Sequence, residues 1–156
     1  MKAVLISIQP KWCELIASGK KTVEVRKTKP KIETPFKCYI YCTKDNTFAE
    51  KTLRGFDENG KAIYYKANKG KVIGEFVCDK IVQFENSLFD EAFIETVARS
   101  CVPMGDLLVY LGKQDYGYGW HITDLVIYDK PKDLSEVKRV CDGNCQSCQY
   151  AIWQTN

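Results

Sequence analysis

Two groups of side chains in this chain have the types and spacing to do chemistry. The first is the run Gly19 to Lys27, GKKTVEVRK. Drawn out as a strand, it puts Thr22, Glu24 and Arg26 on one face and Val23 and Val25 on the other. The valines suit a core, so the charged face points either to solvent or into a polar cleft. In a cleft, Lys21 would hold a phosphate or, once desolvated, serve as a base. Arg26 would grip a phosphate or a base edge while Glu24 orients it. Glu75, in VIGEFVC, alternates with Ile73 and Val77, and a carboxylate between apolar neighbours needs a partner, for which Lys21 or Arg26 is expected. The plain alternatives are a surface ion pair between Glu24 and Arg26, a strand packed under a loop at Glu75, and a lysine near a helix C-terminus, worth ~0.3–1 kcal/mol.

The second group is Cys141, Cys145 and Cys148, a C-x3-C-x2-C pattern whose Gly143 and Asn144 supply a turn able to fold three thiolates around one zinc. Cys13, Cys101 and His121 are the candidates for a fourth ligand. Cys38 and Cys42 cannot both join, because four residues of strand separate them by about 13 Å, against ~4 Å for two thiolates on one ion. Free thiols or an adventitious disulfide are the competing reading, and zinc is an option rather than a requirement. Among aromatic residues, Trp12 and the alternating Tyr116, Tyr118 and Trp120 of YGYGW could stack on an unstacked base, or simply fill the core. His121 is the only histidine.

These side chains need a scaffold to position them. The 156 residues, 45% hydrophobic and 28% charged, suit one compact domain. No apolar run reaches the roughly 18 residues of a membrane span, and the apolar stretch Ala3 to Ile8 is short for a signal peptide, so the expected compartment is the cytoplasm and the eight cysteines are expected to be reduced. The net charge of +3 is unevenly spread: residues 1 to 37 carry nine Lys or Arg against three Glu, leaving the remainder at −3. That asymmetry fits an electropositive face for phosphates, or equally a lysine-rich protected edge.

Lys2 to Gln9 reads as a buried strand, Pro10 as the first residue of a short helix ending at Gly19, and Phe36 to Thr43 as another strand. Residues 44–71 are polar and glycine-punctuated, with Asn59-Gly60 before KAIYYK, as in an inserted hairpin or loop. Lys71 to Phe84 reads as one long strand, Asp90 to Ser100 as a helix, Gly105 to Leu111 as a short helix or strand, and Tyr118 to Tyr128 as a strand pair or a bulged strand. A turn at Leu134 to Arg139 precedes the cysteine-bearing tail, 140–156. The sum is an α+β domain.

The order strand, Pro-headed helix, GKKT and charged strand in SIQPKWCELIASGKKTVEVRK resembles the ASCH domain family. VIGEFVCDKI, YGWHITDLVIYDKP and KDLSEV resemble that family's middle strand, closing strand and following turn, so the likeness spans most of residues 1–139. It implies a PUA-like small β-barrel or strongly curved mixed sheet of five to six strands with flanking short helices. It also implies a role centred on RNA. Some members are ribonucleases, and one branch hydrolyses N4-acetylcytidine to cytidine. For that branch the resemblance puts catalytic roles on Lys21 and Glu75, while Glu24 stands where that branch has a threonine. A carboxylate cannot replace a hydroxyl nucleophile, but it can activate a water as general base.

The expectation is therefore a domain that binds RNA, a nucleotide or a nucleoside in a cleft lined by Lys21, Glu24, Arg26 and Glu75. Lys11 would help with phosphate, and Trp12, Tyr118 or Trp120 would stack on a base. A hydrolase of a modified nucleoside, a ribonuclease, and an interaction module with Glu24 and Arg26 on open solvent are the alternatives.

Overall fold

The computed structural model describes residues 1–44 and 69–137 in full, and 53–56, 62–65 and 151–153 as backbone. In chain order the elements are β1 (Ala3–Ile8), α1 (Pro10–Ala17), β2 (Val23–Arg26), β3 (Phe36–Cys42), β4 (Leu53–Phe56), β5 (Ala62–Tyr65), β6 (Val72–Cys78) and β7 (Ile81–Glu85). They continue with α2 (Glu91–Ser100), α3 (Met104–Leu111), β8 (Tyr116–His121), β9 (Thr123–Lys132), a 3-10 turn (Leu134–Glu136) and β10 (Ala151–Trp153).

The strands form a five-stranded sheet in the order β10-β1-β3-β6-β9 and a three-stranded sheet in the order β2-β8-β7, while β4 and β5 pair with each other. Only β1 and β3 run parallel; every other pair is antiparallel. The architecture is mixed α+β, but among the described residues no ladder closes it into a barrel. The reason lies in two corners. The stretch expected as one strand from Lys71 to Phe84 breaks after Cys78 and resumes at Ile81 in the other sheet, and the chain changes sheet again between His121 and Thr123. His121 N donates to Lys80 O at 2.9 Å and Ile122 N to Thr22 O at 2.9 Å, which pins both corners together.

The main core lies between the sheets. Val4, Ile6 and Ile8 of β1 meet Phe36, Cys38 and Ile40 of β3, with Phe76 and Trp120 from the neighbouring strands and Cys13 and Ile16 from α1. Pro10 opens α1 at a position that needs no amide hydrogen. On the other face of the small sheet, Val25 and Phe84 pack under the helices against Phe93, Leu107 and Leu111. The Asp90 side chain caps α2 by accepting from Ala92 N at 3.2 Å.

YGYGW serves both layers. A Cβ at Gly117 would stand 2.4 Å from the Phe84 ring, and one at Gly119 would stand 3.2 Å from Thr96 Oγ1, so the glycines let neighbouring side chains on the helical side close onto β8. Trp120 alternates to the main core, where it is fully buried and meets the Phe36 ring edge-on at 5.6 Å. In the large sheet, a Cβ at Gly74 would come within 2.4 Å of the Val126 backbone oxygen, an atom that cannot rotate away. Gly74→Ala is therefore expected to lose about 1–3 kcal/mol of stability, read as a lower urea midpoint at unchanged slope.

Candidate functional site

Past α1 the chain turns at Gly19, whose φ of +74° suits glycine, and the Lys21 amide returns to Leu15 O at 2.9 Å. Thr22 N donates to Arg99 O at 3.0 Å, which ties the start of β2 to the end of α2. This geometry drives the Lys21 side chain inward, where it is only 2% exposed. Its Nζ donates to Ser100 O at 2.8 Å, lies 3.3 Å from Glu24 Oε2, and sits 5.3 Å from the centre of the Trp12 ring.

Glu24 is also buried, at 7% exposure, and its Oε1 lies 3.2 Å from Arg26 Nε in an ion pair that is not aligned as a hydrogen bond. Arg26 Nη2 donates to Ser7 O at 2.8 Å. The result is an unbroken polar line from the end of α2 through β2 to β1. Two cations and one carboxylate leave this line with a net positive charge.

The line forms the floor of a cleft of about 450 Å³. Lys11 and Trp12 of α1 form one wall, the Lys11 Nζ resting 4.4 Å from the Trp12 ring centre. Asp106, Val109 and Tyr110 of α3 also line the cleft. Five of the residues singled out by sequence thus meet here: Lys11, Trp12, Lys21, Glu24 and Arg26.

The other candidates lie elsewhere. Trp120 is fully buried and Tyr118 packs half-buried against the main core, and neither lines the cleft. Tyr118 is the cross-strand partner of Arg26 and Trp120 that of Glu24, so they share one face of the sheet, and on β8 that face is taken up by the main core. Tyr116 is 46% exposed but is likewise absent from the cleft lining.

Glu75 does not pair with Lys21 or Arg26. A bulge between β3 and β6 skips Ile73, which turns into the main core, and Glu75 lines up with Tyr39 on the outer face of the large sheet. There its Oε1 takes the Lys37 Nζ at 2.6 Å and its Oε2 accepts from the Tyr128 hydroxyl. Burial pulls the Glu75 carboxyl upward, but these two donors outweigh it and hold the group below the usual carboxylate range.

His121 pairs through Nδ1 with Asp79 Oδ1 at 2.8 Å. Among the described residues no cluster of three or more His, Cys, Asp or Glu side chains could hold a metal, and Cys141, Cys145 and Cys148 fall outside them. Cys13 is a buried thiol whose Sγ donates to Ile8 O at 3.4 Å, and Cys101 donates to Lys20 O at 3.3 Å. Burial pushes Cys78 up to about 12, so it too is a neutral core thiol.

Sequence reasoning missed Ser7, Asp106, Val109 and Tyr110. Ser7 contributes only a carbonyl, which any residue could supply. For α3 a signal exists: MGDLLVYL is apolar almost all round, yet it leaves Val109 82% exposed and Tyr110 42% exposed.

The profile of the ASCH domain matches residues 6–131. A search of curated proteins finds no match. Three crystal structures of the ASCH protein from Zymomonas mobilis share the fold. A serine-to-alanine mutant aligns at a TM-score of 0.67 with 20% identity, covering 98% of this chain and 88% of that one. A tyrosine-to-phenylalanine mutant aligns at 0.63 with 19% identity, covering 87% and 78%. The protein without a stated mutation aligns at 0.62 with 20% identity, covering 86% and 75%.

Two expectations follow from these geometries. Glu24→Ala strands the buried Lys21 ammonium without its carboxylate and should cost about 3 kcal/mol; Arg26→Ala, at a more exposed end of the line, should cost about 1 kcal/mol. Chemical denaturation of both variants checks the order. For Glu75, a carboxyl depressed in the folded state adds stability that is present above its unfolded pKa and lost as pH falls through the folded one. Glu75→Gln should therefore flatten the acid-side fall in melting temperature below about pH 4.5 while leaving the fold's other acid-sensitive groups unchanged.

Proposed function

The chain belongs to the ASCH domain family, and from that membership and the geometry of its cleft we propose that it binds RNA or a nucleotide across Lys21, Glu24 and Arg26. The observation that carries this reading is the buried polar line on the floor of a cleft that also presents an aromatic side chain. Such a combination suits a nucleotide's chemistry: a flat apolar base, hydrogen-bonding edges and an anionic phosphate.

In this reading Trp12 takes the base face, and the Lys11 ammonium beside it turns to the phosphate. Arg26 offers the remaining N–H groups of its fork to a phosphate or a base acceptor. Glu24 can only accept while ionised, so it would recognise an N–H on the ligand. Lys21, satisfied by Ser100 O and Glu24, acts chiefly to hold that carboxylate in place and to add positive potential.

Binding is preferred to amide hydrolysis for two reasons. A carboxylate stands at Glu24 where the hydrolytic branch implied by the resemblance has a threonine, and Glu75 faces Lys37 and Tyr128 across the other side of the large sheet. A ribonuclease would still find a general base in Glu24 beside two cations.

The test is binding of purified protein to a panel of single-stranded RNAs and nucleotides over a range of salt. Affinity should fall with salt, and Arg26→Ala should weaken binding about tenfold. Absence of salt-sensitive binding to every ligand overturns the reading. Cytidine release from N4-acetylcytidine, lost in Lys21→Ala and Glu24→Gln, would replace it with the hydrolase.

A further inference from the structure

Two helices line the cleft, and each carries an aromatic ring with a lysine against it. On α1 the pair is Trp12 with Lys11 at 4.4 Å. On α3, Tyr110 also lines the cleft and has the Lys27 Nζ 5.0 Å from its ring centre. The two pairs come from three separate segments of chain, and the Glu24–Arg26 ion pair lines the same cleft.

We propose that Tyr110 and Lys27 form a second nucleotide subsite, so that the preferred ligand is a single RNA strand with at least two consecutive nucleotides in contact, not a free nucleoside. This rests on the nucleotide-binding reading of the same cleft and deepens it.

A single bound base needs one stacking ring, which Trp12 supplies. The following base of an unstacked strand needs its own aromatic surface, and Tyr110 presents one at 42% exposure, extended by the nearly bare side chain of Val109. Lysine stems rotate freely, so an ammonium now resting on a ring can move to a neighbouring phosphate as the base takes that ring face.

The charge pattern supplies further cations for the backbone. Lys27, Lys29 and Lys31 are all exposed on the segment that leads away from Arg26. Alternation of rings with cations is the arrangement by which proteins track a single strand, because every base offers a stacking face and every linkage a charge. A duplex buries its base faces in its own stack and gains nothing from Tyr110.

The experiment compares the full chain with its Tyr110→Ala, Tyr110→Phe and Lys27→Ala variants. Each is titrated with a nucleoside monophosphate, a short single-stranded oligoribonucleotide and the corresponding duplex. Tyr110→Ala should weaken the single strand about tenfold and change the monophosphate less than twofold, while Tyr110→Phe keeps the ring and the affinity. Lys27→Ala should reduce the salt slope for the single strand by about 0.7. The inference is overturned if Tyr110→Ala leaves the single strand unchanged, if it weakens the monophosphate by the same factor, or if the duplex binds as well as the single strand. Wild-type protein that binds none of the three would instead remove the underlying reading, and the inference with it.

Discussion

The structure turns on one requirement, that the ammonium of Lys21 be satisfied out of water. Burying such a group costs several kcal/mol unless good partners replace its hydration. Ser100 O meets it at 2.8 Å, Glu24 at 3.3 Å, and the Trp12 ring lies alongside at 5.3 Å. Ser100 is the last residue of α2, where carbonyls lose their intrahelical partners, and Cys101 in the left-handed region at φ 58° ends the helix there. The lysine thus caps a helix and fixes its end against β2 in one contact. Glu24 then anchors Arg26, whose guanidinium reaches Ser7 O in the other sheet. A line of three charged side chains therefore links a helix and both sheets.

The layered architecture follows from how β8 divides its side chains. Its glycines let neighbouring side chains close onto one face, and Trp120 fills the other. Because β2 lies against β8 with Glu24 opposite Trp120, the charged strand borders a rigid aromatic core. Rigidity of this kind suits a recognition site, since side chains that are already ordered lose little freedom when a ligand arrives. The cleft itself is lined by residues of α1 and α3, the end of β1 and Glu24 to Arg26 of β2.

The outer face of the large sheet shows a different use of charge. Lys37, Glu75 and Tyr128 satisfy one another across three neighbouring strands, and the Lys37 ammonium also lies 5.8 Å from the Tyr39 ring centre. Their spacing makes a closed set that binds β3, β6 and β9 together. Two carboxylates singled out by the same sequence logic, Glu24 and Glu75, thus face opposite ways, one into the cleft and one onto the far side of the sheet.

Local sequence determined the pieces whose physics is local. Pro10 and Gly19 bounded a helix, and the alternation of Val23 and Val25 with Glu24 and Arg26 set the two faces of β2. The family was legible for the same reason, since GKKTVEVR combines a turn with a strand pattern in one continuous stretch. Tertiary structure decided what depends on register and packing. A one-residue bulge at Ile73 sent Glu75 to the outer face, because a shift of one residue along a strand exchanges its faces. Packing drew Trp120 into the main core instead of the cleft, and the packing of α3 brought Tyr110 from far along the chain to line the same cleft as Trp12. Spacing along the chain specifies which residues share a face; only the fold specifies what that face meets.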